Sequence, residues 1–309
     1  MALTTILGAG GTISNELVKI LSANHTPFRL VGRNPRPETG REVVTADITD
    51  LDQTIRAVAG SSVVHLLVGL KYDAKVWQAL WPRIMANVIE ACKRAQAKLM
   101  FFDNVYMYGR VDGPMTEETP YSPVSKKGEI RARIATTLMN EVKAGSLTAM
   151  IARAADFYGP DTKNSGLNIL VFDAFVKGST ASWLVNDHVP HSLTFTPDAA
   201  RGVAMLVERE LAWNQVWHLP TSAPAPTGKE LIQMSARAFG VEPKYRVLNR
   251  PMLKVVGLFN PMVREMYEML YQNDSPYWFD STKFASEFGF AGTPYGDGIR
   301  ISVNSYKKA

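Results

Sequence analysis

Gly8, Gly10 and Gly11 stand between an apolar run, Leu3 to Leu7, and a stretch with apolar residues at helical spacing: Leu17, Val18, Ile20 and Leu21. The run reads as a buried central strand and the stretch as a helix. Glycines between them let the backbone turn tightly and approach a ligand closely. Free N–H groups and the positive end of the helix dipole then converge, which suits the pyrophosphate of a dinucleotide. The alternative is a tight strand-to-helix turn with no ligand. The expected contacts are Gly8, Gly10, Gly11, Thr12 and Ile13.

About twenty residues past such a turn, a site preferring NAD places Asp or Glu on the adenine ribose. This chain has Gly32-Arg33-Asn34-Pro35-Arg36 instead. A guanidinium at Arg33, with Arg36 as a second donor, attracts the 2′-phosphate that an acid would repel. The expected cofactor is therefore NADP(H) in preference to NAD(H). The alternative is a pair of solvated loop arginines. No His, Cys, Asp or Glu cluster has metal-ligand spacing, so no metal is expected.

These residues need elements to hold them. Phe28 to Arg33, Glu42 to Asp47, Ser62 to Gly69, Lys98 to Phe102 and Thr148 to Ala152 read as further strands. Helical patterns run from about Trp77 to Ala95 and from about Lys127 to Lys143. This alternation predicts an α/β fold, a doubly wound parallel sheet of the Rossmann type with a smaller C-terminal substrate lobe. The expected domains are 1–160 for the dinucleotide, with 191–218 returning to it, and 161–190 plus 219–309 for the lobe. Ser192 to Asp198 reads as a strand entering a helix that runs from Asp198 to about Glu208. In the lobe, Met252, Met262, Met266 and Met269, with Tyr271, Tyr277, Trp278 and Phe279, read as core packing.

The 309 residues are 46% hydrophobic and 20% charged, the balance of a globular protein that can bury a sizeable core. No apolar run is long enough to span a membrane. No basic region precedes the first apolar run, which argues against a signal peptide. Cys92 is the single cysteine; a lone thiol forms no internal disulfide and fits a reducing cytoplasm. The net charge is +5, but the basic residues are scattered, so neither nucleic acid nor a membrane is an expected partner. The expected partner is a small-molecule substrate.

The glycine loop with Ser14 at its third position resembles that of the extended and atypical short-chain dehydrogenase/reductases related to sugar-nucleotide epimerases. The resemblance continues in order along the chain. It includes Asn87 in its helix, Phe102-Asp103-Asn104-Val105-Tyr106-Met107-Tyr108-Gly109, and Ile151-Ala152-Arg153-Ala154-Ala155-Asp156-Phe157-Tyr158-Gly159-Pro160. It ends with Thr196-Pro197-Asp198-Ala199-Ala200 and with Phe279-Asp280-Ser281-Thr282-Lys283 before Phe288-Gly289-Phe290. The family implies that Asp47 and Ile48 hold the adenine, although Asp47 also reads as a helix cap in competition with Asp50. It implies that Leu67, Val68 and Gly69 line the inner ribose, and that the segment to Pro160 leads to substrate, with Asp103, Asp156 and Tyr158 as candidate contacts. His188 and His191 are further polar candidates there. The two long helices imply a homodimer.

The family's Tyr-x-x-x-Lys pair is incomplete. Val124 fills the tyrosine position and Asn104 the Ser/Thr position, while Lys127 matches the lysine. Candidates for the chemistry are Tyr108, as the replacement acid or as a packed aromatic, with Asn104 and Lys127; Tyr106 and Tyr121 are further phenols. Two functions compete. One is an NADP(H)-dependent oxidoreductase or epimerase-like enzyme acting on a small carbonyl or sugar-derived substrate. The other is an NADP(H)-binding sensor that has lost catalysis.

Overall fold

The computed structural model describes residues 3–36 and 41–307. In chain order the elements are β1 (Leu3–Leu7), α1 (Thr12–Ala23), β2 (Phe28–Gly32), β3 (Glu42–Thr45), α2 (Leu51–Val58), β4 (Ser61–Leu66), α3 (Ala74–Ala95), β5 (Lys98–Asp103), α4 (Lys126–Lys143) and β6 (Ala149–Arg153). Then follow β7 (Asp156–Tyr158), α5 (Asp173–Val176), β8 (Ala181–Leu184), β9 (Leu193–Phe195), α6 (Thr196–Glu208), β10 (Val216–His218), α7 (Gly228–Phe239), β11 (Tyr245–Leu248), α8 (Arg250–Phe259), α9 (Pro261–Met266), α10 (Thr282–Phe288) and α11 (Tyr295–Tyr306).

The chain divides into two compact units. The first comprises Met1–Met107, Lys126–Arg153 and Ala200–Trp217; the second comprises Tyr108–Ser125, Ala154–Ala199 and His218–Ala309. The sequence predicts residues 1–160 with 191–218 as one domain, whereas here 108–125, 154–160, 191–199 and 218 group with the second unit.

The first unit carries a seven-stranded sheet in the order β10-β6-β5-β4-β1-β2-β3. β1 pairs in parallel with β2 and β4, β2 with β3, and β5 with β4 and β6. Chain order reverses between β1 and β4, so the carboxyl ends of these two strands form the switch point at which open α/β sheets bind ligands. The central strands are near-continuous apolar runs because both faces are covered: Ile6, Leu7, Val64, Leu66, Leu99 and Met150 are fully buried.

Helix ends follow capping. α3 begins three residues before its expected start because Asp73 accepts from the backbone N–H of Lys75 and Val76 at 2.9 and 3.2 Å. α6 begins at Thr196 rather than Asp198, since Pro197 fits the first helical turn.

The second unit holds two two-stranded parallel sheets, β11-β8 and β7-β9. Its core gathers Phe172, Trp183, Leu231, Tyr158 and Ile299. Met269, Tyr271, Tyr277 and Phe279 are buried as expected, but Met252, Met262 and Trp278 are exposed. Met252 and Met262 belong to an outward apolar face on α8 and α9, with Leu258 71% and Phe259 85% exposed.

Candidate dinucleotide site

The glycine turn is built for close approach of backbone to backbone. Gly8 has φ +114°, and a Cβ there would stand 2.9 Å from the Leu67 carbonyl and the Val68 nitrogen. Only glycine adopts that conformation and tolerates that contact. Gly8 and Ala9 donate to the Val31 carbonyl at 2.9 and 3.0 Å, Leu67 donates to the Leu7 carbonyl at 2.9 Å, and Gly11 donates to the Gly8 carbonyl at 3.1 Å. The turn is thus tied to β2 and to the segment after β4.

The first helical bond of α1 runs from Asn15 N–H to the Gly11 carbonyl at 2.8 Å. The amides of Thr12, Ile13 and Ser14 precede it, and no side chain caps this helix. They leave a positive pole beside Gly10, which has φ +82°. A glycine turn seated against the Leu67–Val68 backbone, ahead of an uncapped helix start, fits a dinucleotide pyrophosphate. Ser14, at the third loop position, is buried.

Arg33 and Arg36 are exposed just beyond β2, and Arg36 borders the undescribed stretch. Asp50, not Asp47, caps α2 by accepting from Gln53 N–H at 2.8 Å. Asp47 accepts from the Thr49 N–H at 2.9 Å and the Thr49 hydroxyl at 2.8 Å. These bonds hold its carboxyl below the usual range, with Arg33 and Arg83 adding to the effect. Ile48 is buried, and Asn87 Nδ2 donates to its carbonyl at 3.0 Å. The helix asparagine noted in the sequence therefore pins the Asp47–Ile48 segment. Leu67 and Val68 are half-buried and Gly69 exposed as the chain leaves β4.

Lys127 is fully buried in the first turn of α4, its Nζ 4.6 Å from the centroid of the Tyr72 ring. Asn104 is half-buried, and its Oδ1 accepts from Tyr106 N–H at 3.1 Å. Asp103 departs from expectation. It is buried, Arg131 Nε donates to its Oδ1 at 2.6 Å, and Arg153 Nε stands 3.7 Å from its Oδ2. The Arg131 guanidinium lies 4.4 Å from the Trp81 ring centroid and 5.0 Å from that of Phe101. Asp103 is thus an internal counter-charge to two arginines; a buried carboxylate requires such partners.

The second unit holds the other candidates. Tyr108 is fully buried and bonds His218 Nε2 at 2.8 Å, while His218 Nδ1 donates to the Asp280 carbonyl at 2.7 Å. With the ring proton on Nδ1, the Tyr108 hydroxyl is the donor to Nε2. It is a packed aromatic with a bonded hydroxyl. Tyr158 also departs from expectation: it is buried in the core against Phe195 and Tyr295, and burial raises its phenol far above the ordinary range. It packs within the core of the second unit. Asp156 is partly exposed, and His191 Nε2 lies 3.0 Å from its Oδ2. His188 is exposed beside Asp187. Val124 is 54% exposed.

Among the described residues, no group of three or more His, Cys, Asp or Glu side chains could hold a metal. No helix of these residues is long and apolar enough to cross a membrane. Cys92 is buried, which pushes its thiol up to about 12 and makes it inert.

The sequence reading missed Tyr72. Its signal was position: a phenol three residues past Gly69, where the chain leaves the carboxyl end of β4.

A search of solved structures returns the same architecture. The Thermus thermophilus UDP-glucose 4-epimerase complex with NAD superposes with a TM-score of 0.81 over 99% of both chains at 16% identity. DesIV, a dTDP-glucose 4,6-dehydratase from Streptomyces venezuelae with NAD bound, gives 0.80 over 99% of this chain and 97% of that one at 18% identity. At these identities the likeness concerns the fold. An uncharacterized protein, y4nL of Sinorhizobium fredii, is 26% identical over 250 residues, 75% of this chain but 66% of that relative's length. The family model for the NAD dependent epimerase/dehydratase family matches residues 4–215, from β1 through α6. With the glycine cradle and the switch point inside that span, the chain belongs to the NAD dependent epimerase/dehydratase family.

Proposed function

We propose that this chain is an NADP(H)-dependent oxidoreductase or epimerase-like enzyme acting on a small carbonyl or sugar-derived substrate. The observation that carries this reading is the contact of Gly8 with the Leu67–Val68 backbone ahead of the uncapped start of α1. Gly10, Gly11, Thr12 and Ile13 would hold the pyrophosphate, Arg33 and Arg36 the 2′-phosphate, and Asp47 and Ile48 the adenine. Leu67 to Gly69 and Lys127 would border the inner ribose. When bound, the nicotinamide gives or takes a hydride. The chain's own residues orient the substrate and supply the proton, and Asp156 is the substrate contact proposed in the second unit.

A second reading, a dinucleotide sensor without catalysis, is favoured by Val124 at the family's tyrosine position. Titrating NADPH oxidation against a panel of carbonyl compounds separates the two. Turnover supports the enzyme, whereas tight NADPH binding without turnover supports the sensor. No dinucleotide binding at all overturns both.

We further propose a homodimer through α3 and α4. Light scattering at micromolar concentration should give twice the chain mass of 34.2 kDa; a monomer overturns it.

A further inference from the structure

We propose that Tyr72 is the proton donor that replaces the missing tyrosine of the reaction. This rests on the reading of the chain as a nicotinamide-dependent enzyme. Tyr72 and Tyr106 are the two tyrosines of the first unit. Tyr106 stacks nearly flat on Trp77, with centroids 6.2 Å apart. Tyr72 is half-buried, and the buried Lys127 ammonium lies over its ring. A cation on the ring face stabilises the negative charge the ring gains as its proton leaves.

The segment around Tyr72 is held at several points. Trp77 meets the Tyr72 ring edge-on at 5.7 Å and donates from Nε1 to the Lys71 carbonyl at 2.9 Å. Asp73 donates its own N–H to that carbonyl at 2.8 Å while its carboxylate caps α3. Five residues earlier the same segment begins at Leu67, against which Gly8 is seated. One short, pinned stretch thus joins the pyrophosphate cradle to a phenol under the family's lysine. Such preorganisation suits a proton-transfer group.

In the proposed step, Tyr72 gives its hydroxyl proton to the substrate carbonyl oxygen. The carbonyl carbon takes a hydride from the reduced dinucleotide, and the C=O π electrons become the oxygen lone pair that receives the proton. The phenolate regains its proton from water or from Lys127.

The first experiment is nitration by tetranitromethane, mapped by mass spectrometry, with and without saturating NADP+. Nitration of Tyr72 should fall several-fold with NADP+, whereas that of Tyr245 in the second unit should not. The second compares Tyr72→Phe with the parent. kcat on the best-reduced carbonyl of the panel should fall about a hundred- to ten-thousand-fold, with KM and the NADPH dissociation constant within about threefold. If fluorescence titration shows no dinucleotide binding, the underlying reading fails. If NADPH binds but Tyr72 is not protected, Tyr72→Phe keeps the parent kcat, or the parent reduces nothing in the panel, the assignment of Tyr72 is overturned.

Discussion

Tyr108 and His218 form a closed pair: the phenol donates to Nε2 at 2.8 Å, and the ring's other nitrogen is committed to the Asp280 carbonyl. His218 also stacks on Phe279 with centroids 4.2 Å apart. The pair is internal scaffolding of the second unit. Tyr108→Phe leaves a buried imidazole nitrogen without its donor, and should cost about 1–3 kcal/mol. Urea unfolding should show this loss, while NADPH affinity stays at the parent value.

Gly8→Ala should be more damaging. The added methyl group would meet the Leu67–Val68 backbone at 2.9 Å in a conformation that alanine disfavours. Unfolding stability should drop by about 2 kcal/mol or more, and calorimetric titration should show dinucleotide binding lost. Gly10→Ala, with open space around its Cβ position but φ +82°, should cost less.

His65 should make folding sensitive to acid. It is fully buried in β4, and burial lowers its pKa from 6.5 to about 4. Above about pH 6.5 both folded and unfolded forms are neutral and the stability is complete. As the pH falls below that, the unfolded chain takes up the proton first, and stability is lost down to about pH 4. The loss over that window is about 3 kcal/mol for this residue. His65→Leu should flatten the fall in urea midpoint between neutral and mildly acidic buffers.

Cofactor choice should follow Arg33. NADPH should bind about 1–3 kcal/mol more tightly than NADH, the scale of a charge-assisted hydrogen bond. Arg33→Asp should reverse the preference. Equal affinities in the parent, or an unchanged preference in the variant, would show that the guanidinium is only solvated.

What could be read from the sequence was local. The glycine turn, the strand before it and the helix after it lie within a few residues, so composition and spacing suffice. The parallel sheet followed from the alternation of apolar runs with helical patterns. The arginine partners of Asp103 were not legible because they come from far along the chain. Arg131 is 28 residues on and Arg153 is on the neighbouring strand, where register sets it directly opposite. The burial of Tyr158 was likewise not legible, since it depends on the packing of β7 against β9 and α11. Tyr72 was invisible for the same reason. Its link to Lys127 spans 55 positions and depends on where α4 begins.

The apolar ridge of α8 and α9 bears on handling of the protein at the bench. Leu258 and Phe259 present their side chains to water, next to Val255 and Met262. Such a ridge adsorbs to phenyl resins, plastic and air–water interfaces, so recovery should fall on dilution and improve with a trace of mild detergent. Leu258→Ser with Phe259→Ser gives a better-behaved starting material for spectroscopy, since neither residue belongs to the proposed site.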